Sequence, residues 1–244
     1  MHGDELNRNN RVRVQCRGKM EKPDFCCMHS SAHHIASALR KAFLQHGRVF
    51  SEQADELMPF KRPTPDDAET QGIRLRHASV ALPVFPIKGK WHIALMKRTE
   101  YAGVHSGQIS IPGGEVEPGD ADRKDTAMRE FEEEMGVDLR QSFVVEGLSE
   151  RFIPPSRFVV KVFVAVLDRE PQWKVHAQEV DSVLIIPIAS FFAPDSLHSR
   201  PIEVKSGVIV SLPAYFWNGE TIWGATAIIL TEFVLAWKEA VEGA

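Results

Sequence analysis

The sequence predicts an α/β or α+β sandwich, and three observations support this prediction. Short β-rich runs begin near residue 77 and recur to residue 217, and turn signals such as Lys88-Gly89-Lys90 and Asn218-Gly219 separate several of them. Helical patterns lie between two of these runs and after the last of them. The chain has 244 residues, 43% hydrophobic and 25% charged, which is typical of a soluble globular protein.

The first 28 residues are polar and irregular, so we expect residues 1–28 to form a disordered lead. They contain all three cysteines of the chain, Cys16, Cys26 and Cys27. An odd number of cysteines with none further along argues against a disulfide framework and favours a reducing compartment. Free thiols are preferred over a zinc site, because no second cysteine pair is available to complete one.

Residues 29–75 are predicted to form an N-terminal helix followed by a linker arm. Ser30 or Ser31 can cap a helix whose apolar positions recur every four residues, and Gly47 marks its expected end. The stretch from Met58 to Gly72 contains three prolines and many acids, which indicates a linker.

Residues 76–244 are predicted to form the main domain. Its expected strands are Ala78–Phe85, Trp91–Met96, Phe143–Glu150, Phe158–Leu167, Val183–Ile186, Val204–Val210 and Ala214–Trp217. Two helices are expected within it, Asp122–Met135 and Ala225–Val241.

The charge balance gives no indication of a nucleic-acid or membrane partner. The formal net charge is -4, and no apolar run reaches the roughly 18 to 20 residues that span a bilayer. The start of the chain also lacks the pattern of a secretory signal. We therefore expect a cytoplasmic protein, with a small anionic ligand as the open possibility.

The second predicted helix carries a dense group of acids. At about 100° per residue, Glu130, Glu133 and Glu134 fall on one arc, whereas Phe131 and Met135 belong to a separate apolar stripe that can pack on a sheet. Neighbouring carboxylates at helical spacing repel each other by about 3 kcal/mol per pair at an effective dielectric near 20. Oxygen ligands without cysteine or histidine suit Mg²⁺ or Mn²⁺, which commonly bridge to phosphates. The pattern therefore indicates phosphoryl or pyrophosphate chemistry.

This stretch resembles the box of the Nudix hydrolases, G-x5-E-x7-R-E-U-x-E-E-x-G-U, in which U is a bulky apolar residue. The second half matches at Arg129, Glu130, Phe131, Glu133, Glu134, Gly136 and Val137. The first half is one residue longer and has Asp120 in place of glutamate.

In having this aspartate and the added residue, the chain resembles the coenzyme A pyrophosphatase branch of the family. The upstream signature of that branch, L-L-T-x-R-[SA]-x3-R-x3-G-x3-F-P-G-G, aligns with Ala94–Gly114 without a gap. It agrees at Arg98, Gly107, Pro112, Gly113 and Gly114, and it differs at Thr99, Gly103 and Ile111. Gly103 stands where the signature has an arginine. The resemblance covers roughly residues 76–240.

The resemblance implies a Nudix-type α/β/α sandwich with a mixed β-sheet and an N-terminal helical extension. It implies that Glu130 and Glu134 bind Mg²⁺ or Mn²⁺ next to the backbone of Gly114, and that Glu133 is a further ligand or helps to activate water. Arg129 is expected to orient one of the carboxylates, and Glu179 is a candidate for the loop glutamate that activates water in many Nudix enzymes; an ordinary surface role for Glu179 stays open. The expected substrate contacts are Arg98, His105, Gln108 and Arg157.

The activity implied is hydrolysis of the pyrophosphate bond of coenzyme A or an acyl-coenzyme A, which gives 3′,5′-ADP and 4′-phosphopantetheine or its acyl form. Two alternatives stay open, because the arginine of the signature is missing at Gly103. The substrate could be another nucleoside diphosphate derivative such as NADH, ADP-ribose or an oxidised nucleotide. The chain could also be a non-catalytic Nudix module that senses a nucleotide. The resemblance further suggests a homodimer.

Overall fold

The computed structural model of the protein describes residues 31–100, 106–205 and 207–242. The predicted lead of residues 1–28, the three cysteines and His105 lie outside the described residues. No described helix is long and apolar enough to cross a membrane.

The first helix, α1, spans Ala32–Glu56 and begins where the sequence places its cap. The Ser31 hydroxyl accepts a hydrogen bond from the His34 backbone N–H at 3.3 Å. The predicted end near Gly47 is wrong, because Phe50 and Ala54 continue the buried face of the helix beyond the glycine. A short helix, α2 (Pro65–Thr70), follows and begins with a capping box between Thr64 and Asp67.

The main sheet has eight strands. They are β1 (Arg76–Ile87), β2 (Lys90–Arg98), β3 (Ile109–Ser110), β4 (Gly113–Glu115), β5 (Phe143–Val145), β6 (Arg151–Ile153), β7 (Phe158–Val166) and β8 (Val180–Pro187). Their order is β3-β2-β1-β7-β5, with β4 also paired to β1, β6 to β7 and β8 to β2. Because β1 is parallel to β7 and antiparallel to β2 and β4, the sheet is mixed.

Helices cover both faces of this sheet. Alternate residues of a strand point to opposite faces, so Leu82 and Val84 join one hydrophobic core and Phe85 joins the other. The first core is closed by α1 and by α4 (Gly224–Glu242), and the second by α3 (Arg123–Met135). The predicted α/β/α sandwich is confirmed.

A second sheet of three strands lies beside the sandwich. It contains β9 (Leu197–Lys205), β10 (Val208–Trp217) and β11 (Glu220–Trp223), and it follows a 3₁₀ helix at Ile188–Phe192. The predicted strand Val204–Val210 is wrong as a single element, because the chain reverses between β9 and β10. The predicted strand Phe143–Glu150 is likewise too long, since β5 ends at Val145.

A buried ion pair connects α1 to the sandwich. Arg151 on β6 donates hydrogen bonds at 2.5 Å to Asp55 of α1 and to Glu232 of α4. Burial by itself lowers the pKa of Arg151, but Glu232 and Asp55 outweigh burial and the pKa is raised. The side chain of Arg151 therefore has a structural role, since it ties α1 and α4 to β6.

Candidate active site

The helix α3 holds the acidic group of the sequence at one end of the main sheet. Its N-cap is Asp122, whose carboxylate accepts from the Asp125 N–H at 2.8 Å, and its C-cap is Gly136 in the left-handed conformation with φ 68°. Phe131 and Met135 pack into the core beneath it. This packing fixes which carboxylates face the sheet.

Glu134 is the buried carboxylate of α3, with a relative exposure of 2%. It accepts a hydrogen bond from the Gly113 N–H at 2.8 Å, and Arg98 on β2 lies 3.4 Å away. Burial raises the pKa of Glu134 to about 8, although Arg98 and the Gly113 N–H act in the opposite direction. The nearby charges of Glu130 and Glu179 contribute to this rise in pKa. The site is thus short of positive charge around its most buried acid.

Glu130 lies against the backbone of β4. A Cβ atom at Gly114 would come within 2.4 Å of the Glu130 carboxyl carbon, so a side chain at this position would displace the carboxylate from its present place. Burial raises the pKa of Glu130, while its hydrogen bond from Arg129 lowers it. Glu130 and Glu134, whose charged forms are disfavoured by burial, therefore lie next to the glycine backbone of β4.

Arg129 joins the acids of the motif to one another. It donates to both carboxylate oxygens of Asp120, at 2.8 and 3.1 Å, and to Glu130 at 2.9 Å and Glu133 at 3.2 Å. Its remaining bond goes to the Glu115 carbonyl at 3.2 Å. The Arg129 hydrogen bonds hold the pKa of Asp120 well below its usual range. Asp120, at the position where the sequence departs from the Nudix box, is thus the two-point partner of Arg129.

Glu133 differs from its two neighbours. Its side chain is 59% exposed, and its bond to Arg129 is the contact that places it near the site. Among the described residues, no group of three or more His, Cys, Asp or Glu side chains is arranged to hold a metal ion. The structure therefore brings Glu130 and Glu134 together without forming the three-carboxylate cluster that the helical arc suggests.

The remaining donors nevertheless fit a hard divalent cation. Mg²⁺ is usually bound through one or two carboxylates together with water and substrate phosphates, rather than by a closed protein cage. Glu130 and Glu134 supply two carboxylates, and the bare backbone at Gly114 leaves space next to them. Burial raises the pKa of both groups, and a bound divalent cation would favour their charged forms.

Glu179 lies on a loop that contacts α3 through its backbone. The His176 N–H donates to the Glu134 carbonyl at 2.9 Å, and the Thr99 N–H donates to the Glu179 carbonyl at 3.0 Å. The side chain of Glu179 is half exposed, and its Oε1 lies 3.3 Å from His176 Nδ1. The sequence analysis did not select His176. Its position three residues before Glu179, just ahead of a predicted strand, could have indicated that the two side chains are neighbours.

The predicted substrate contacts divide between two places. Arg98 lies at Glu134, and its backbone N–H donates to the Gln108 carbonyl at 3.0 Å, so the backbone of Gln108 lies next to Arg98. His105 lies outside the described residues. Arg157 lies at the start of β7, in a cleft that also contains Arg74 and Arg76, two residues that the sequence analysis did not select.

Comparison with protein families matches residues 75–207 to the NUDIX domain. The chain belongs to the Nudix family. The match includes every predicted site residue, and the activity of the family makes this protein a Nudix hydrolase. Nudix hydrolases generally use divalent metal ions and act on small nucleotide diphosphate substrates.

Curated Nudix relatives include two named coenzyme A diphosphatases. The mitochondrial coenzyme A diphosphatase NUDT8 of Homo sapiens is 30% identical over 170 residues, which cover 68% of this chain and 72% of the relative. The peroxisomal coenzyme A diphosphatase NUDT7 of Mus musculus is 29% identical over 155 residues, 59% of this chain and 65% of the relative. The uncharacterized Nudix hydrolase NudL of Photorhabdus laumondii is 29% identical over 157 residues, 64% of this chain and 81% of the relative.

Proposed function

We propose that this Nudix hydrolase cleaves the diphosphate of coenzyme A or an acyl-coenzyme A, giving 3′,5′-ADP and 4′-phosphopantetheine or its acyl form. The observation that carries the proposal is the 30% identity to a mitochondrial coenzyme A diphosphatase over two thirds of the chain. The upstream residues Arg98, Gly107 and Pro112 to Gly114, which agree with the signature of that branch, support the same substrate.

Glu130 and Glu134, next to the backbone of Gly114, would hold Mg²⁺ or Mn²⁺. When bound, the metal neutralises charge on the diphosphate and lowers the pKa of coordinated water. Arg129 keeps Glu130 in place through its hydrogen bond of 2.9 Å, and Asp120 in turn fixes Arg129. These contacts orient the Glu130 carboxylate, and none of them involves Glu134.

Two further acids are proposed to act in the reaction. Glu179 is the candidate for accepting the proton of the attacking water, because its loop is bonded to the backbone of Glu134 through His176. Glu133 is assigned a secondary role, as a further ligand or in water activation, since its carboxylate is held near the site by Arg129. Arg98 and Gln108 are proposed to contact the phosphates, and His105 keeps its predicted role in substrate binding.

One observation favours a different substrate for the same chemistry. Gly103 stands where the coenzyme A signature has an arginine, which removes a cation that could bind phosphate. NADH, ADP-ribose and oxidised nucleotides are therefore the alternative substrates. A non-catalytic sensing module is less well supported, because binding alone does not need one buried and one partly buried carboxylate beside a glycine backbone.

Chromatography of reaction products tests the proposal directly. The full chain with Mg²⁺ or Mn²⁺ is incubated with coenzyme A, acetyl-coenzyme A, NADH, ADP-ribose and 8-oxo-dGTP. We expect 3′,5′-ADP from the coenzyme A compounds, no product with Glu134→Gln, and unchanged product with the exposed control Glu132→Gln. Cleavage of another compound instead would refute coenzyme A as the substrate but would support diphosphate hydrolysis as the reaction. Absence of turnover on every compound would refute the proposed function.

Three predictions about the setting of the enzyme stay proposals. The cytoplasmic location is one of them, and the names of two relatives instead place those proteins in mitochondria and peroxisomes. A homodimer is the second. The third is the division into residues 1–28, 29–75 and 76–244, in which α1 is an extension that packs against α4 in the main core.

A further inference from the structure

A basic cleft lies next to the carboxylate site. It has a volume of about 520 Å³ and is lined by Arg74, Leu75, Arg76, His77, Glu115, Val116 and Arg157. Three arginines thus face a single glutamate, which leaves an excess of positive charge in a chain whose formal net charge is -4. Such a local reversal of sign favours an anionic ligand.

The arginines of the cleft have different partners. Arg76 forms a two-point hydrogen-bonded pair with Glu115, and its guanidinium lies 4.2 Å from the centre of the Phe158 ring. These contacts hold Arg76 as one wall of the cleft. Arg74 and Arg157 form no ion pair within the described part of the chain, so their charges are not neutralised by a neighbouring acid.

Arg157 is held at the cleft by an unusual backbone conformation. Its φ is 59°, in the left-handed region that few side chains other than glycine, asparagine and aspartate adopt readily. The Arg157 N–H donates to the Ile153 carbonyl at 2.8 Å, and the Arg157 carbonyl accepts from the Arg76 N–H at 3.0 Å. An arginine at a position that favours glycine or asparagine suggests that its side chain has a function.

His77 adds a hydrogen-bond donor to the cleft. Its Nδ1 lies 3.2 Å from a guanidinium nitrogen of Arg123. Because a guanidinium donates and has no acceptor, this contact assigns Nδ1 as the acceptor and leaves Nε2–H as a donor for an anion.

Strand β4 connects the cleft to the carboxylate site. The Gly113 N–H donates to Glu134, Gly114 packs against Glu130, and Glu115 lines the cleft. The Glu115 carbonyl also accepts from Arg129, which donates to Glu130. Two residues of a strand span about 7 Å, so the cleft and the carboxylates lie close to each other along β4.

We propose that this basic cleft, formed by Arg74, Arg76, His77 and Arg157, binds a phosphate monoester on the ribose of the substrate nucleotide. The proposal rests on the proposed function, in which coenzyme A carries such a phosphate at its 3′ position next to the 5′-diphosphate. The cleft then gives the enzyme its preference for nucleotides with a phosphorylated ribose over those without one, such as NADH or ADP-ribose.

Calorimetric binding of three small nucleotides to the full chain with Mg²⁺ tests this proposal. The nucleotides are 3′,5′-ADP, 2′,5′-ADP and 5′-AMP. We expect 3′,5′-ADP to bind about tenfold more tightly than 5′-AMP, as one added charge-assisted contact allows. The ratio should fall to about one in Arg74→Ala/Arg157→Asn, where asparagine tolerates the left-handed backbone. It should persist in Arg157→Lys and in the exposed control Arg169→Ala.

The outcomes separate this proposal from the proposed function. No preference in the unmodified protein, or a preference that survives in the double variant, would overturn the cleft as a phosphate site. Equal or tighter binding of 2′,5′-ADP would support a ribose-phosphate site and contradict coenzyme A as the substrate. The same preparations are assayed for coenzyme A turnover, so a failed substrate assignment is visible on its own.

Discussion

Two clusters in this protein each contain a buried glutamate and an arginine, but they differ in how completely the glutamate is hydrogen-bonded. Glu232 of α4 is fully buried and accepts three hydrogen bonds, from the Ser149 N–H, the Ser149 hydroxyl and Arg151, at 2.8, 2.9 and 2.5 Å. Glu134 of α3 is almost as buried, but among the described residues it accepts one hydrogen bond of normal length, from the Gly113 N–H at 2.8 Å, and a long one, from Arg98 at 3.4 Å.

The difference shows what each cluster does. A buried charge is tolerated where its partners replace the lost water, and the Glu232 cluster meets this condition by tying α1, β6 and α4 together. The Glu134 cluster does not meet it, and burial raises the pKa of Glu134 to about 8. A buried acid with few hydrogen-bond donors among the described residues, next to a second carboxylate, has a negative charge that a divalent cation would neutralise.

The largest expected effect is on stability, at the Glu232 cluster. Arg151→Met leaves Glu232 buried without its cation, so the free energy of unfolding should fall by about 3 to 5 kcal/mol. Chemical denaturation measures this change. Arg151→Met combined with Glu232→Leu should recover most of the loss, whereas the surface control Arg140→Met should cost at most about 1 kcal/mol. A single variant as stable as the control would contradict the structural role of this cluster.

The next effect is on catalysis, at the Glu134 cluster. Glu134→Gln should lower turnover at least about a hundredfold, equivalent to roughly 2.7 kcal/mol, because it removes a charge that is proposed to bind the metal. The melting temperature without metal should not fall, since the variant no longer buries a poorly paired acid. Steady-state kinetics at saturating Mg²⁺, with thermal melts, measure both quantities. Near wild-type turnover would refute the assignment of Glu134.

A smaller effect is expected at the glycine next to Glu130. Gly114→Ala places a Cβ within 2.4 Å of the Glu130 carboxyl carbon and must displace it, so activity should fall about tenfold. Gly119→Ala is the matched control, because a Cβ there meets no atom within 4 Å. Equal activity of the two variants would show that the position of Glu130 is unimportant.

The smallest effect concerns acid stability. The pKa of Asp120 is lowered by Arg129, so its contribution to stability is present above the unfolded pKa near 4 and is lost as the pH falls below that value. Asp120→Asn should cost about 1 kcal/mol at neutral pH and should flatten the loss of stability between about pH 4 and pH 2. Denaturation curves at several pH values measure the slopes. Parallel slopes for the two proteins would contradict the Asp120–Arg129 pairing.

Local patterns in the sequence were enough for the fold class and for the acidic helix. The predicted helix Asp122–Met135 is observed as α3, with Asp122 as its N-cap, and the apolar stripe at Phe131 and Met135 packs against the sheet. Gly47 was misread as a helix end because glycine serves both as a terminator and at close contacts. Inside α1 it faces the Gly147 carbonyl instead, and Phe50 continues the buried face.

The partners of charged side chains could not be predicted in the same way. Arg151 meets Asp55 and Glu232, which are 96 and 81 residues away in the sequence, so no local spacing indicates the pairing. The separation of Glu133 from Glu134 was also missed. Both lie on the helical arc, but the depth of each side chain depends on how α3 is rotated on the sheet.

Calorimetric titration of the full chain with Mn²⁺ most directly tests whether the Glu134 cluster is a metal site. We predict saturable binding to the unmodified protein, strongly weakened binding to Glu134→Gln, and unchanged binding to Glu132→Gln, whose side chain lies on the exposed side of α3 with Arg140. Equal binding by all three proteins, or no binding to the unmodified protein, would contradict the account.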